Sequence, residues 1–468
     1  MVEVKLIANL NFIKLLKNII IFLTYFFSIF QSVAADGNDL VEIYLKALTN
    51  DALLASMKFE NQATQELISQ GRSLFLPSIS ATLGYDQNNN ERKILTTAIS
   101  SNVLLSGNKA DYRSYDYGIT IKQPLFNYGA FQQYQQILSQ TSLSEKKLIQ
   151  AQQDLMYRVS LVYFETLMAR DQIGLLDAQK KAVNGQLLES KALYNAGLIS
   201  ITDVKEAETK SSMIDAQSIA AKQKFKIKNY QIESLTGELP KKIKGINSAI
   251  SFVEIEDILE NWIGLARENN LELKIKQDEI KIADSEINLR QSDHYPTIDA
   301  IASRSRNWDK GGYPYGTIQN EGARSFSDIL GVQINIPIFQ GGFTSSRVRE
   351  AQQLKLKTIE DAEYLQRQVE LKVRENYLNL QANFAEIEAY QQALISAKLQ
   401  LEATQLAFKE GLRNSVEVLV AQQVLFNAQR DLLKSRYNYL MNIINLKLSV
   451  GILAFDDLKE INQYLSYK

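Results

Sequence analysis

The stretch Gly197-Leu198-Ile199-Ser200-Ile201-Thr202-Asp203-Val204 interrupts a long helical pattern, and Gly411-Leu412-Arg413-Asn414-Ser415-Val416-Glu417-Val418 repeats the device. Glycine suits the left-handed position just past a helix end, and the leucine after it supplies the apolar contact of such a cap. The next helix then opens on Ser200-x-x-Asp203 in one copy and Asn414-x-x-Glu417 in the other. Each is a capping-box pattern, with a side-chain acceptor at the N-cap and a carboxylate three residues on, near the positive end of the helix. Each stretch therefore reads as the turn of a helical hairpin, two antiparallel helices reversed within a few residues.

The two turns are 214 positions apart (411 − 197), and the offset recurs for Tyr163 with Tyr377 and for Gly237 with Gly451. Pro124 and Pro337 differ by 213, and Pro77 and Pro296 by 219, so insertions concentrate between those proline pairs. This is one tandem duplication of ~200 residues rather than an array of short repeats. The expected organisation is a signal peptide at 1–35, a first structural repeat at 36–240, a second at 241–456 and a C-terminal tail at 457–468.

The chain holds 6 prolines, none of them between Asn127 and Leu239 or after Ile338. A residue that breaks helix interiors is missing where the pattern is most helical. Val373, Leu380, Ile387, Leu394 and Leu401 recur every seven residues, with Tyr377 and Phe384 four residues on, a heptad-like seam. A helix from about Gly342 to Glu410 would run ~100 Å, and its counterpart from about Gly129 to Ala196 matches it. Helices of that length make an extended coiled-coil structure.

Between each proline pair the period changes from helix to strand. Ser78–Tyr85, Tyr115–Lys122 and Val332–Ile336 alternate polar and apolar residues, and Thr297–Ala302 does so less cleanly. Each segment spans about ten residues, the length of a tilted membrane-spanning strand. Polar loops are expected at roughly Gln87–Arg113 and Ser305–Ser325. Alternation alone fits equally a small soluble sheet capping a helical bundle. Four strands are too few to close a barrel, which starts at about eight, and a sheet with an oily face leaves two edges open. Oligomerisation about an axis along the helices would satisfy both the edges and the apolar helical seams.

Composition narrows the function classes. With 52 Lys+Arg against 53 Asp+Glu, the chain lacks the basic excess of a general nucleic-acid binder. No cysteine and a single histidine remove thiol nucleophiles, the usual zinc sites and histidine-based triads. Gln340-Gly341-Gly342-Phe343-Thr344 is glycine-rich but lacks the Gly-Lys-Ser/Thr of a P-loop. The reading is therefore no enzyme, no cofactor and no metal. At the N-terminus, Lys5, Lys14 and Lys17 precede an apolar run from Ile19 to Phe30, followed by Ser32-Val33-Ala34-Ala35. This is the pattern of a cleaved secretory signal, and about a dozen apolar residues are too few to span the ~30 Å hydrocarbon layer.

Signal sequence, duplication, proline-flanked strand pairs and two Gly-Leu hairpins together resemble the TolC family of outer-membrane efflux ducts. Arg436-Tyr437-Asn438-Tyr439-Leu440 and Gln123-Pro124-Leu125-Phe126 add to the resemblance, which spans about Asp36 to Asp456. It implies a mostly α fold with a small β part: long coiled-coil hairpins and four transmembrane strands per chain. It also implies a homotrimer whose twelve strands close a barrel in the outer membrane, continued by an α-helical barrel across the periplasm. The function implied is a passive channel for efflux or type I secretion, opened by a periplasmic adaptor (membrane fusion) protein and an inner-membrane pump. The competing reading is a secreted coiled-coil structural or adhesion protein without a pore.

The resemblance also implies functional residues. The hairpin tips of the family are linked by polar contacts, matched here by Asp203 and Arg413. Phe408 stands where the family carries a tyrosine, so one hydroxyl link is missing. The family's constriction tends to carry two acidic positions; Glu417 matches the first and the apolar Val420 stands at the second. An Asp203–Arg413 pair at a wet tip would be weak, about 0–1 kcal/mol, which suits a gate that a docking partner must open. Asp203 and Glu417 are at the same time capping carboxylates, worth about 0.5–2 kcal/mol each. Gly197, Leu198, Ile199, Ser200, Gly411, Leu412 and Asn414 are the expected adaptor-docking tips, although an exposed leucine there is equally the contact of its own cap.

Overall fold

The computed structural model describes residues 38–92, 108–246, 252, 257–315 and 318–466. The signal-peptide pattern lies outside the described residues. In chain order the first half holds α1 (Leu40–Asn50), α2 (Ala52–Ser73), β1 (Ser78–Arg92), β2 (Asn108–Asn127), α3 (Tyr128–Asn195) and α4 (Ile201–Thr236). A two-residue strand β3 (Gly245–Ile246) follows. The second half repeats the order with α5 (Leu259–Asn269), α6 (Leu271–Ser292), β4 (Thr297–Tyr315), β5 (Ile318–Asn335), α7 (Phe343–Lys409) and α8 (Ser415–Val450). The chain then adds α9 (Phe455–Gln463) and β6 (Leu465–Ser466).

The long helices α3 and α7 hold 68 and 67 residues, each ~100 Å. Their partners are shorter, 36 residues in both α4 and α8, so neither reaches the sheet. α2 and α6 take over along the remaining length and pack on α3, with α6 also against α7. The joints are made by side chains. Asn270 donates to the Ser449 carbonyl (2.8 Å) at the end of α8. Gln153 of α3 donates to the carbonyls of Gly451 (3.1 Å) and Leu453 (3.0 Å) just beyond it. Orphan carbonyls at a helix end are thus satisfied from the neighbouring helix.

The apolar core sits halfway along the long helices, where the short elements wrap them. Leu155, Val159, Tyr163, Phe164 and Leu167 of α3 meet Val373, Leu380 and Ile387 of α7, Leu440 and Ile444 of α8, and Leu40, Ile43 and Ala47 of α1. The heptad seam is therefore the buried face of α7 in this region. The hydroxyls of Tyr163 and Tyr377 donate to the Lys244 (2.9 Å) and Asp257 (3.1 Å) carbonyls, on either side of the link between the halves. The last residues are not a tail: Leu458 and Ile461 of α9 are buried in this core, and β6 pairs with β3. A nine-residue helix with two inward apolar positions is too short for its period to stand out in the sequence.

The larger sheet has the order β1-β2-β4-β5, antiparallel throughout, with β1 and β5 as edges. Its strands hold 15 to 20 residues, not ten. Most of the expected loop at Ser305–Ser325 is ladder, for example Ser305 opposite Ser327, and so are the two ends of the one at Gln87–Arg113, for example Gln87 opposite Arg113, while its residues 93–107 lie outside the described residues. Alternation marks a strand only while one face is apolar. Beyond that point both faces are polar, and the backbone pairing continues without the signal. The register slips between Pro124 and Phe126, a bulge placed where proline offers no N–H to the ladder.

Candidate functional site

The two faces of the sheet differ in chemistry. One carries Ile79, Ala81, Leu83 and Tyr85 of β1 opposite Ile121, Ile119, Tyr117 and Tyr115 of β2. Across β4 and β5 the same face carries Ile298 opposite Ile334, Ala300 opposite Val332 and Ala302 opposite Leu330. Leu83 is 86% exposed and Leu330 87%. The other face carries Ser80, Thr82, Thr120, Ser303, Ser305 and Gln333, with Ile301 and Ile329 as its apolar exceptions. It is tied together by Lys122–Asp299 (2.9 Å) and by Ser114 donating to Asp309 (2.6 Å). An exposed oily face backed by a small, polar one is the arrangement of a membrane barrel wall.

At the opposite end lie the hairpin turns, and they are equivalent in geometry. Gly197 and Gly411 both have φ 75°. The Leu198 N–H donates to the Leu193 carbonyl (2.9 Å) and the Gly197 N–H to that of Tyr194 (2.9 Å). In the second copy Leu412 donates to Ala407 (2.8 Å) and Gly411 to Phe408 (3.0 Å). This pair of bonds is the Schellman closure. Both capping boxes form. Thr202 N–H donates to the Ser200 hydroxyl (3.0 Å) and Ser200 N–H to Asp203 (3.1 Å). Glu417 N–H donates to Asn414 Oδ1 (2.9 Å), and Asn414 N–H points back to Glu417 at 3.5 Å.

The polar link expected between Asp203 and Arg413 is not made within the chain. Arg413 pairs instead with Glu417, one turn along its own hairpin. The reason is geometric: the capping box brings the Glu417 carboxylate back to the turn just before Asn414, where Arg413 stands, so the two meet without any tertiary fit. Arg413 in turn holds the Glu417 carboxyl below its usual range, chiefly by this hydrogen bond. Val420 is exposed, Phe408 and Ile199 are half-buried, and Leu198 and Leu412 are 71% and 78% exposed. The last two are therefore not consumed by packing within the chain.

What joins the two hairpins was not legible in the sequence. Ser190 near the end of α3 donates to Ser415 at the start of α8 (3.2 Å), and both are fully buried. Just behind them Leu419 of α8 enters a small apolar cluster with Val183, Ala207 and Ile214 of the first hairpin. Gln186 and Gln422 lie buried close by, with Gln186 Nε2 and Gln422 Oε1 lacking protein partners. Serines and glutamines on a mostly polar helix look solvated until the neighbouring helix is known. The Arg436–Leu440 stretch, in contrast, is structural: Tyr437, Tyr439 and Leu440 are buried, and the Tyr437 hydroxyl donates to Asp171 (2.8 Å).

Among the described residues, no group of three acidic or histidine side chains could hold a metal ion, and no helix is long and apolar enough to cross a membrane. A sheet with one oily face, set at one end of ~100 Å helices whose far end is a pair of capped turns, defines a class: elongated membrane channels that rest a sheet in a membrane and extend helices away from it. The family model described as "Outer membrane efflux protein" matches residues 43–238 and 262–452, and the chain belongs to that family, the one its motifs resemble. It is an outer-membrane channel of the efflux and type I secretion class. The chain is 28% identical over 442 residues to the proteases secretion protein PrtF of Dickeya chrysanthemi, covering 92% of this chain and 91% of that one. It is 29% identical over 441 residues to the outer membrane protein TolC of Vibrio cholerae, covering 92% and 94%. The solved structure of CusC superposes with a TM-score of 0.71 at 17% identity, covering 91% of this chain and 96% of that one, a likeness of fold.

Proposed function

We propose that three copies of this chain close a twelve-stranded barrel in the outer membrane and continue it as a helical tunnel whose hairpin tips form a gate. The observation that carries this reading is the two-faced sheet with free edges. β1 and β5 have unpaired outer sides, and a row of unpaired backbone groups next to an oily face is stable in lipid only if the sheet closes. Four strands from each of three chains reach a barrel size that closes. The two halves of the chain, 36–240 and 241–456, then act as repeats, each giving two strands to the wall and one hairpin to the tunnel.

In this reading the protein is a passive conduit with no bond chemistry of its own. A periplasmic adaptor docks on the exposed tips at Leu198, Ile199 and Leu412, together with Gly197, Ser200, Gly411 and Asn414. An inner-membrane pump supplies the energy. Asp203, Arg413, Glu417, Phe408 and Val420 line the constriction. Because Arg413 and Glu417 already satisfy one another, the closed gate is held by shallow wells, as a docking-driven opening requires. The test is the particle extracted from outer membranes by detergent: three chains per particle that form pores in a planar bilayer support the reading. A particle released without detergent and silent in bilayers would favour a secreted coiled-coil protein instead.

A further inference from the structure

The oily face of the sheet is interrupted by charge at one place. Three successive cross-strand pairs of β4 and β5 are Arg304 with Asp328, Arg306 with Phe326 and Trp308 with Arg324. All of them stand on the face that carries Ala302 and Leu330. Arg304 donates two hydrogen bonds to Asp328 (2.7 and 2.8 Å), which occupies both carboxylate oxygens. The Arg306 guanidinium lies 5.2 Å from the Phe326 ring centroid and that of Arg324 4.9 Å from Trp308. These rings orient the two cations but accept no N–H bonds in their plane. Among the described residues neither arginine has a protein hydrogen-bond acceptor, so the cluster holds three cations, one anion and two unused guanidinium forks.

Its height on the wall follows from strand geometry. Ile334, paired with Ile298, is the last apolar residue of this face of β5 before the helices. Asp328, Phe326 and Arg324 follow further up the strand, with Arg324 about ten residues from Ile334, ~34 Å of chain or ~25 Å of height at ~40° tilt. Arg324 thus stands at the height of a barrel's apolar band, and Arg306 and Arg304 lead up to that outer rim from just below it. An aromatic row confirms the level: Tyr85, Tyr115 and Trp308 touch in sequence, with centroids 5.3 and 5.7 Å apart. Such rings gather at the headgroup boundary. A charge on the lipid face costs most at the bilayer midplane and little at the interface, so the rim is where unpaired arginines are tolerated.

We infer that Arg304, Arg306 and Arg324 form a binding site for the phosphate group of anionic lipid headgroups in the outer leaflet. Guanidinium forks match phosphate oxygens two at a time, and the net charge of the cluster complements them. Asp328 then acts as the competing anion, pinning Arg304 and limiting the charge of the site. The inference rests on the outer-membrane reading of the fold.

The experiment uses the full-length oligomer in vesicles containing brominated phosphatidylglycerol or brominated phosphatidylcholine, with conductance recorded on the same preparation. Trp308 stands in the cluster and reports lipid contact by quenching, while Trp262 in α5 gives a constant background. Stronger quenching by phosphatidylglycerol is expected. Its advantage should fall about five-fold for each of Arg306→Gln and Arg324→Gln and should rise in Asp328→Asn. A purely structural cluster predicts equal quenching by the two lipids, or loss of preference in Asp328→Asn as well, and either result would overturn the site. Abolition of the preference by millimolar inorganic phosphate would also overturn it, since it would assign the site to the free anion. Absence of conductance in every vesicle would instead count against the outer-membrane reading itself.

Discussion

Ser190 and Ser415 join the two helical hairpins of the chain through a buried hydroxyl–hydroxyl bond of 3.2 Å. It lies within a few residues of both turns, and Leu419 inserts into the first hairpin beside it. The hairpins of one chain therefore move together near the tip unless this contact parts. Since the chain has no cysteine, Ser190→Cys with Ser415→Cys offers a clean cross-link. If the tip opens by parting these hairpins, the oxidised double variant stays at closed-state conductance even with an opening mutation present, and reductant restores the larger value. An oxidised variant that opens normally would place the moving joint between chains.

Arg413→Ala is expected to raise closed-state conductance, because it removes a charged group at the tip and frees Glu417. Glu417→Ala should differ in kind. It releases Arg413 but also deletes the N3 carboxylate of a capping box, which costs about 1 kcal/mol of helix α8. Conductance together with the melting temperature of the oligomer separates the two variants. Glu417 titrates below its usual range in the folded chain because Arg413 is hydrogen-bonded to it. The pairing is thus present above the ordinary carboxylate range and is lost as pH falls through the depressed value. Any closing contribution of the pair should fade on that acid side and not at neutral pH.

Asp51 should dominate the acid sensitivity of the core. It caps α2 by accepting from the Leu54 N–H (2.7 Å) and receives two bonds from Arg158 of α3 (2.9 and 3.1 Å). Arg158 is the largest cause holding its carboxyl below the usual range. The folded value is lowered, so this stability is complete above about pH 4 and is lost as pH falls through the folded value. Asp51→Asn should cost about 2–3 kcal/mol at neutral pH and flatten the thermal stability profile in that acid window.

Gly237 and Gly451 occupy equivalent helix ends, yet their substitutions should differ. A Cβ at Gly237 would meet the Asn50 side chain at 2.9 Å, a group that can rotate away. A Cβ at Gly451 would meet the Asn269 carbonyl oxygen at 2.6 Å and the Asn270 Cα at 2.7 Å, backbone that cannot. Gly237→Ala should cost about 1 kcal/mol, the left-handed strain alone. Gly451→Ala should cost several times that or prevent assembly, as read by the yield and melting temperature of the oligomer.

The hairpin ends were legible because their devices are local. Gly197, Ser200 and Asp203 each act within four residues, and the same holds for Gly411, Asn414 and Glu417. The heptad seam through Val373, Leu380 and Ile387 was legible because one period persists over many turns. What stayed hidden depends on partners distant in sequence. The ladder of Gln87–Arg92 with Asn108–Arg113 carries no alternation once both faces are polar. The packing of Leu458 and Ile461 needs the far-off α1 helix to make sense. Arg413 fits a link to Asp203 by family pattern, but only the folded chain puts Glu417 nearer. The Ser190–Ser415 bond spans 225 positions between residues that look like ordinary solvated helix faces.

Single-channel recording of the detergent-extracted oligomer in a planar bilayer, with Arg413→Ala alongside, tests the central claim most directly. The account predicts a small conductance for the natural chain and a larger one for the variant, the behaviour of a pore closed at its hairpin tips. A folded oligomer that conducts in neither form would contradict it and would make the two-faced sheet something other than a barrel wall.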